Sequence, residues 1–214
     1  MIWNDSVLFI HAPKTAGMSM TALLSAHLKG TVKITGPYEK QHRKNNIVHI
    51  PGKRHETLIE AASSLIYRNV PLERFEKIFV VMRNPYALEL SRFSYLRQNL
   101  PQDRGIAQDI ALEGDFRKYL ERAPFFGMTP PRLDLYYHIN GSMPDNLVIL
   151  RYEHLADAIE RSIAPFLTSG YQLPHENQSV HDSVAEIYDA EMEELCYQRH
   201  RWFFDKSFYS RSCF

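Results

Sequence analysis

The stretch Val7-Leu8-Phe9-Ile10-His11-Ala12-Pro13-Lys14-Thr15-Ala16-Gly17-Met18-Ser19-Met20 constrains the fold more than any other part of the chain. Four apolar residues, the length of a short strand, run into a loop holding a proline, a lysine, a glycine and hydroxyl residues. A helical period starts at once, with Met20, Leu23, Leu24 and Leu28 spaced for one face. The first backbone N–H groups of such a helix lack intrahelical partners, and its dipole favours negative charge there. Lys14 adds a full positive charge, and Thr15 and Ser19 add hydroxyl donors. The loop suits a phosphate-like group.

A second strand–helix junction follows. Lys77-Ile78-Phe79-Val80-Val81-Met82 scarcely alternates, so it reads as a strand buried on both faces. It ends at Arg83-Asn84-Pro85, and Tyr86 to Leu100 reads as a helix with Pro85 at its first position. Ser91, eight residues after Arg83, shares a face with Leu88 and Tyr95. An arginine leaving a strand and a serine about two turns into the next helix can converge on one anion, through a charged fork and a hydroxyl.

Further strands are expected near 6–10, 31–35, 47–50 and 146–151, and helices near 17–28, 56–68, 105–122, 153–167 and 182–204. Strands alternating with helices imply α/β architecture with a parallel sheet covered on both faces, ligands lying at the strands' C-terminal edge. Both anion motifs fall at that edge. The Pro- and Gly-rich segment 123–145 is expected to flank an acceptor cleft. Residues 1–214 suit one α/β domain.

Lys plus Arg number 25 and Asp plus Glu 25, so no global field favours nucleic acid or an anionic membrane. Basic residues cluster locally at Lys40-Gln41-His42-Arg43-Lys44 and Lys53-Arg54-His55, as a solvated face or as a rim for anions. Cys196 and Cys213 read as free thiols in a reducing compartment. No apolar run is long enough to span a membrane and no leader precedes the first strand, so a cytoplasmic location is expected. The histidines lack metal-ligand spacing, and no metal is expected.

The nucleoside-triphosphate loop G-x-x-x-x-G-K-[ST] does not fit, because Lys14 precedes Gly17 and no earlier glycine exists; G-x-G-x-x-G is absent too. The segment instead resembles the 5′-phosphosulfate loop of sulfotransferases that use 3′-phosphoadenosine-5′-phosphosulfate (PAPS). It is closest to the carbohydrate-type, family 2-like branch, H-x-P-K-[TS]-[AG]-G-[TS]-S. His11, Pro13, Lys14, Thr15, Ala16, Gly17 and Ser19 match, and Met18 departs. Arg83, Asn84, Pro85 and Ser91 fit R-[DN]-P-x5-S, which in that family binds the 3′-phosphate. Ala87 and Leu88 stand where Asp and Arg are usual. Arg151-Tyr152-Glu153 resembles a strand-end segment of the family, and the aromatic tail from Arg199 to Tyr209 echoes its late pattern.

The resemblance implies a P-loop-like three-layer α/β/α fold with a central parallel sheet of about five strands. It implies a PAPS-dependent sulfotransferase that moves a sulfuryl group to a hydroxyl of a carbohydrate or small metabolite, leaving 3′-phosphoadenosine-5′-phosphate. Pro13, Lys14, Thr15, Ala16, Gly17, Met18, Ser19, Arg83 and Ser91 would bind the donor. Lys14 would act on charge developing at the transferred group, and His55, beside Thr57 in a K-H-x-T-like context, would be the base, ahead of His49 and Glu56. His11 is expected to be structural. A small-molecule kinase with a variant loop and a non-catalytic nucleotide-binding relative remain as alternatives.

Overall fold

The structure, a computed structural model, describes residues 1–36, 46–98, 105–125, 127–171 and 184–212; the basic run at 40–44 and Cys213 lie outside these. The strands are β1 (Ile2–Trp3), β2 (Val7–Ile10), β3 (Val32–Thr35), β4 (Ile47–Ile50), β5 (Lys77–Met82) and β6 (Leu147–Arg151). They form one sheet in the order β4-β3-β1-β2-β5-β6. The helices are α1 (Gly17–His27), α2 (Leu58–Ile66), α3 (Pro85–Leu96), α4 (Ile106–Leu112) and α5 (Phe116–Arg122), then α6 (Leu155–Ser162), α7 (Val184–Ile187), α8 (Ala190–Arg199) and α9 (Arg201–Asp205).

The five strands anticipated from the sequence are β2 to β6. β2, β5 and β6 pair in parallel, as do β3 and β4, while β1 is antiparallel to both β2 and β3. All five therefore share one direction, and β1 is a sixth strand wedged between β3 and β2. Two residues are too short to show a period, which is why β1 escaped the pattern reading. Asn4 makes it possible. Its Oδ1 accepts from the N–H of Ser6 at 2.9 Å and of Val7 at 2.8 Å, turning the chain back on itself.

The chain forms two compact units, one of Met1–Met82 with Leu135–Asn177 and the other of Arg83–Asp134 with Gln178–Phe214. In the first, Val7, Phe9, Phe79 and Val81 pack with Met20, Leu23 and Leu24 of α1 and Ile159 of α6. The alternate residues Leu8, Ile10, Ile78 and Val80 are fully buried too, so the strands carry apolar side chains on both faces. In the second, Tyr86, Leu90, Phe93 and Leu96 of α3 pack with Tyr119 and Leu120 of α5, Cys196 of α8 and Phe204 of α9.

Helix ends follow local chemistry. Thr57 and Glu60 form a capping box on α2, and Asn84 caps α3 by accepting from the N–H of Tyr86 at 2.9 Å, with Pro85 at the first position. The helix expected over 105–122 is two helices. Gly114 takes φ of +84° after α4, and the Asp115 side chain caps α5 by accepting from the N–H of Lys118. Pro165 likewise confines the expected 153–167 helix to α6 and a short 3₁₀ turn, Ala164–Phe166. Beyond residue 183 the expected 182–204 helix is divided into α7, α8 and α9, with Asp189 capping α8.

Candidate active site

The loop between β2 and α1 holds an unusual backbone. Lys14 and Ala16 both have φ of +61°, the left-handed region that costs a residue with a Cβ about 1 kcal/mol or more. Left-handed residues in a loop can turn neighbouring N–H groups toward one side, as in the backbone concavities that take anions. Ala16 is also the N-cap of α1, and its methyl group can cap nothing. Whereas α2, α3, α5 and α8 are capped by the side chains of Thr57, Asn84, Asp115 and Asp189, α1 has no side-chain cap at its N-cap residue. Its first-turn amides, with Lys14, are the part of the loop suited to a phosphate.

The side chains divide into inward and outward sets. Thr15 is fully buried and its hydroxyl donates to the Ala12 carbonyl at 2.9 Å, so it braces the loop from inside. Thr21 donates to the Gly17 carbonyl at 2.7 Å. Ser19 is buried on the first turn, while Met18, the second helical residue, is 39% exposed. Gly17 is obligatory for a steric reason. A Cβ there would lie 1.8 Å from His11 Nε2, because the His11 ring occupies the place a side chain would take.

That ring is also the bridge to the predicted base. His11 and His55 meet edge to face with centroids 4.5 Å apart, and His55 Nδ1 lies 3.0 Å from the His11 carbonyl oxygen. The Tyr136 hydroxyl donates to the His55 carbonyl at 3.1 Å and fixes the segment from the other side. Arg54 reaches the loop as well, with Nη1 3.4 Å from Met18 Sδ. So the segment before α2 and the β2–α1 loop are joined at three points, through His11, His55 and Arg54.

Burial dominates the electrostatics here. It lowers His11 well below the ordinary histidine value, and the charges of His55, the Met1 amine and Arg54 push the same way. His55 is lowered too, first by burial; its bond to the His11 carbonyl opposes that, while Arg54 and the Met1 amine reinforce it. The Met1 amine, bonded to Thr35 Oγ1 at 2.7 Å, is lowered by burial to about 6 against the pull of Glu56. Both imidazoles are thereby kept neutral near pH 7.

The fold has solved counterparts. Mouse sulfotransferase SULT7A1, in its complex with PAP, matches with a TM-score of 0.54 at 15% identity, over 92% of this chain and 85% of that one. The chain has a sulfotransferase fold. No protein-family model and no curated protein matches the sequence.

Within this sulfotransferase fold, Arg83 follows β5 directly and is buried, and Ser91 is buried on α3. Leu88, where the resemblance leads one to expect arginine, is fully buried, an environment that an unpaired guanidinium could not share. Tyr136 and Tyr137, within the 123–145 segment, are both buried, and Tyr137 donates to the Val81 carbonyl at 3.0 Å. His49 lies within β4 and Arg151 ends β6 opposite Met82. Among the described residues no group of three or more His, Cys, Asp or Glu could hold a metal, and no helix is long and apolar enough to cross a membrane.

Pattern reading missed one polar constellation. Glu89, fully buried, accepts from Arg199 Nε at 3.1 Å and from the Tyr119 hydroxyl at 2.7 Å, and its Oε1 lies 2.7 Å from His200 Nε2. Arg92 donates to the Tyr119 hydroxyl at 2.8 Å, and Arg199 donates to the carbonyls of Leu120 and Ala123. The available signal was on α3, where Glu89 and Arg92 stand one turn apart among Leu88, Leu90 and Phe93 with no polar face to serve.

Proposed function

We propose that this chain is a PAPS-dependent sulfotransferase that works as a single domain in the cytoplasm and transfers a sulfuryl group to the hydroxyl of a carbohydrate or small metabolite. The observation that carries the reading is the left-handed pair Lys14 and Ala16 opening onto the uncapped N-terminus of α1. The fold shared with a sulfotransferase solved with PAP supports it.

Bound PAPS would supply an activated sulfuryl group on its 5′-phosphate. The N–H groups from Ala16 to Ser19, with Pro13 and Thr15 shaping the loop, would hold that phosphate, and Lys14 would neutralise charge growing on the bridging oxygen. Arg83 and Ser91 are assigned to the 3′-phosphate, as fork and hydroxyl. His55 is assigned to the acceptor's proton. Its Nδ1 faces a carbonyl, which can only accept, so the neutral ring carries its hydrogen on Nδ1 and its lone pair on Nε2.

Calorimetry with adenosine-3′,5′-bisphosphate against ATP–Mg²⁺ tests the assignment. The bisphosphate should bind more tightly, and preference for ATP–Mg²⁺ would turn the reading toward a kinase. Radiolabelled PAPS with a panel of hydroxyl acceptors then tests transfer. Nucleotide affinity with no acceptor labelled anywhere would mean a non-catalytic relative.

A further inference from the structure

The His11 ring is buried and occupies the place that a side chain on Gly17 would take. Phe9 lies beside it with centroids 6.1 Å apart, and the His55 ring crosses it at 72° with centroids 4.5 Å apart. His11 also lines, with Met1, Thr21 and Thr35, a cavity of about 10 Å³, room for about one water.

His55 is tied to this one residue twice. Its Nδ1 lies 3.0 Å from the His11 carbonyl oxygen, and its ring packs on the His11 ring. The two ties do different work. The last side-chain torsion of a histidine is broad and roughly two-fold, so a single hydrogen bond leaves the ring able to turn over. A second ring set across it restricts that rotation, because the edge-to-face contact is lost as the ring turns. The carbonyl is backbone and survives any substitution at position 11, so the ring's share can be removed alone. The Tyr136 hydroxyl, 3.1 Å from the His55 carbonyl, meanwhile holds the segment from its other side.

We propose that His11 is a positioning residue for the base, its ring holding the His55 imidazole with Nδ1 on the backbone and the basic lone pair at Nε2. The proposal rests on the PAPS reading and deepens it on the acceptor side. Charged and titratable groups around the two rings include Arg54, the Met1 amine and Glu56, which acts on that amine. The amine titrates near His55, so the readout must come from the His55 ring itself.

Nitrogen-15 NMR of the imidazoles against pH, assigned with His55→Gln, gives that readout in wild type, His11→Ala and His11→Phe without any ligand. Wild-type His55 should carry its hydrogen on Nδ1 and titrate below 6.5. In His11→Ala the vacated space joins the small cavity and admits water, so His55 should titrate closer to 6.5 and populate both tautomers. His11→Phe restores a flat ring and should return both readouts toward wild type. In transfer from radiolabelled PAPS, His11→Ala should lose about 10- to 100-fold in kcat, the scale of a small misplacement, with little change in KM for PAPS. An unchanged His55 in His11→Ala overturns the proposal. So does a loss confined to KM for PAPS, which would make the ring a prop of the loop alone. Wild type that labels no acceptor brings down the PAPS reading, while the NMR comparison still decides whether the ring holds His55. If melting shows that His11→Ala does not fold, His11→Asn carries the same comparison without a ring.

Discussion

The Nδ1 of His55 lies 3.0 Å from the carbonyl oxygen of His11. One backbone bond therefore sets the tautomer of the assigned base from within the strand-end segment that leads into the loop proposed to take phosphate. Arg54 and the Met1 amine are among the charged groups acting on His55, whose ring also meets that of His11. Burial, Arg54 and the amine lower its pKa from the ordinary 6.5, against the carbonyl bond. A general base must be neutral, so activity is present above the folded pKa and lost as pH falls through it. The acidic limb of kcat/KM should lie below 6.5. The Met1 amine titrates in the same window, so His55→Gln is the control. It should cut kcat by roughly 10²–10⁴-fold and remove the limb. A limb above 6.5, or one that survives in the variant, would assign the base elsewhere.

Lys14 tests the loop with least risk to the fold. Its side chain is only partly buried, and the strained backbone beneath it belongs to the loop, not to the lysine's charge. Lys14→Ala should lower kcat by about 10²–10³-fold, the cost of removing one preorganised electrostatic donor. Its melting temperature should stay within a few degrees of wild type. A large fall in melting temperature would show that the lysine holds the fold, and its kinetic loss would then say nothing about chemistry.

Much of this was legible in the sequence, for reasons that can be named. β2 and β5 announce themselves because strands buried on both faces are continuous apolar runs, and Pro13 and Gly17 punctuate the turn between β2 and α1, though the left-handed Lys14 and Ala16 carry no such signal. Pro85 and Asn84 fixed the start of α3. What stayed hidden depends on tertiary position. β1 is too short for a period and exists through Asn4 and its two neighbours in the sheet. The inward turn of Thr15 and the placement of Arg54 against Met18 need coordinates, since spacing shows neither a hydroxyl's direction nor which of two adjacent cations faces a helix. Glu89 stood out on α3, but two of its partners, Arg199 and His200, lie over a hundred positions away and could not be paired with it from spacing.

Gly17 and His11 should be energetically coupled. A Cβ on residue 17 would meet Nε2 at 1.8 Å and Cδ2 at 1.9 Å of a ring that is itself buried. Overpacking of this kind costs about 1–3 kcal/mol. Gly17→Ala should destabilise the protein by that amount in urea unfolding, and adding His11→Ala should recover part of the loss. The double-mutant cycle should show an interaction of about 1 kcal/mol. Additive effects would mean that the ring does not occupy this space in solution.

Glu89 should be the most costly single carboxylate to neutralise. Burial by itself would raise its pKa, but Arg199, His200 and Arg92 together hold it well below the ordinary 4.5. A carboxylate depressed in the fold contributes stability that is present above its unfolded pKa and lost as pH falls through the folded one. Glu89→Gln leaves buried cations uncompensated and should cost about 3–5 kcal/mol at pH 7. The penalty should shrink as pH drops below 4.5, because wild type then forfeits the same contribution. Urea unfolding of both proteins at neutral pH and below 4.5 measures it. A penalty of the same size at both would mean that shape and hydrogen bonding, not charge, keep Glu89 in place.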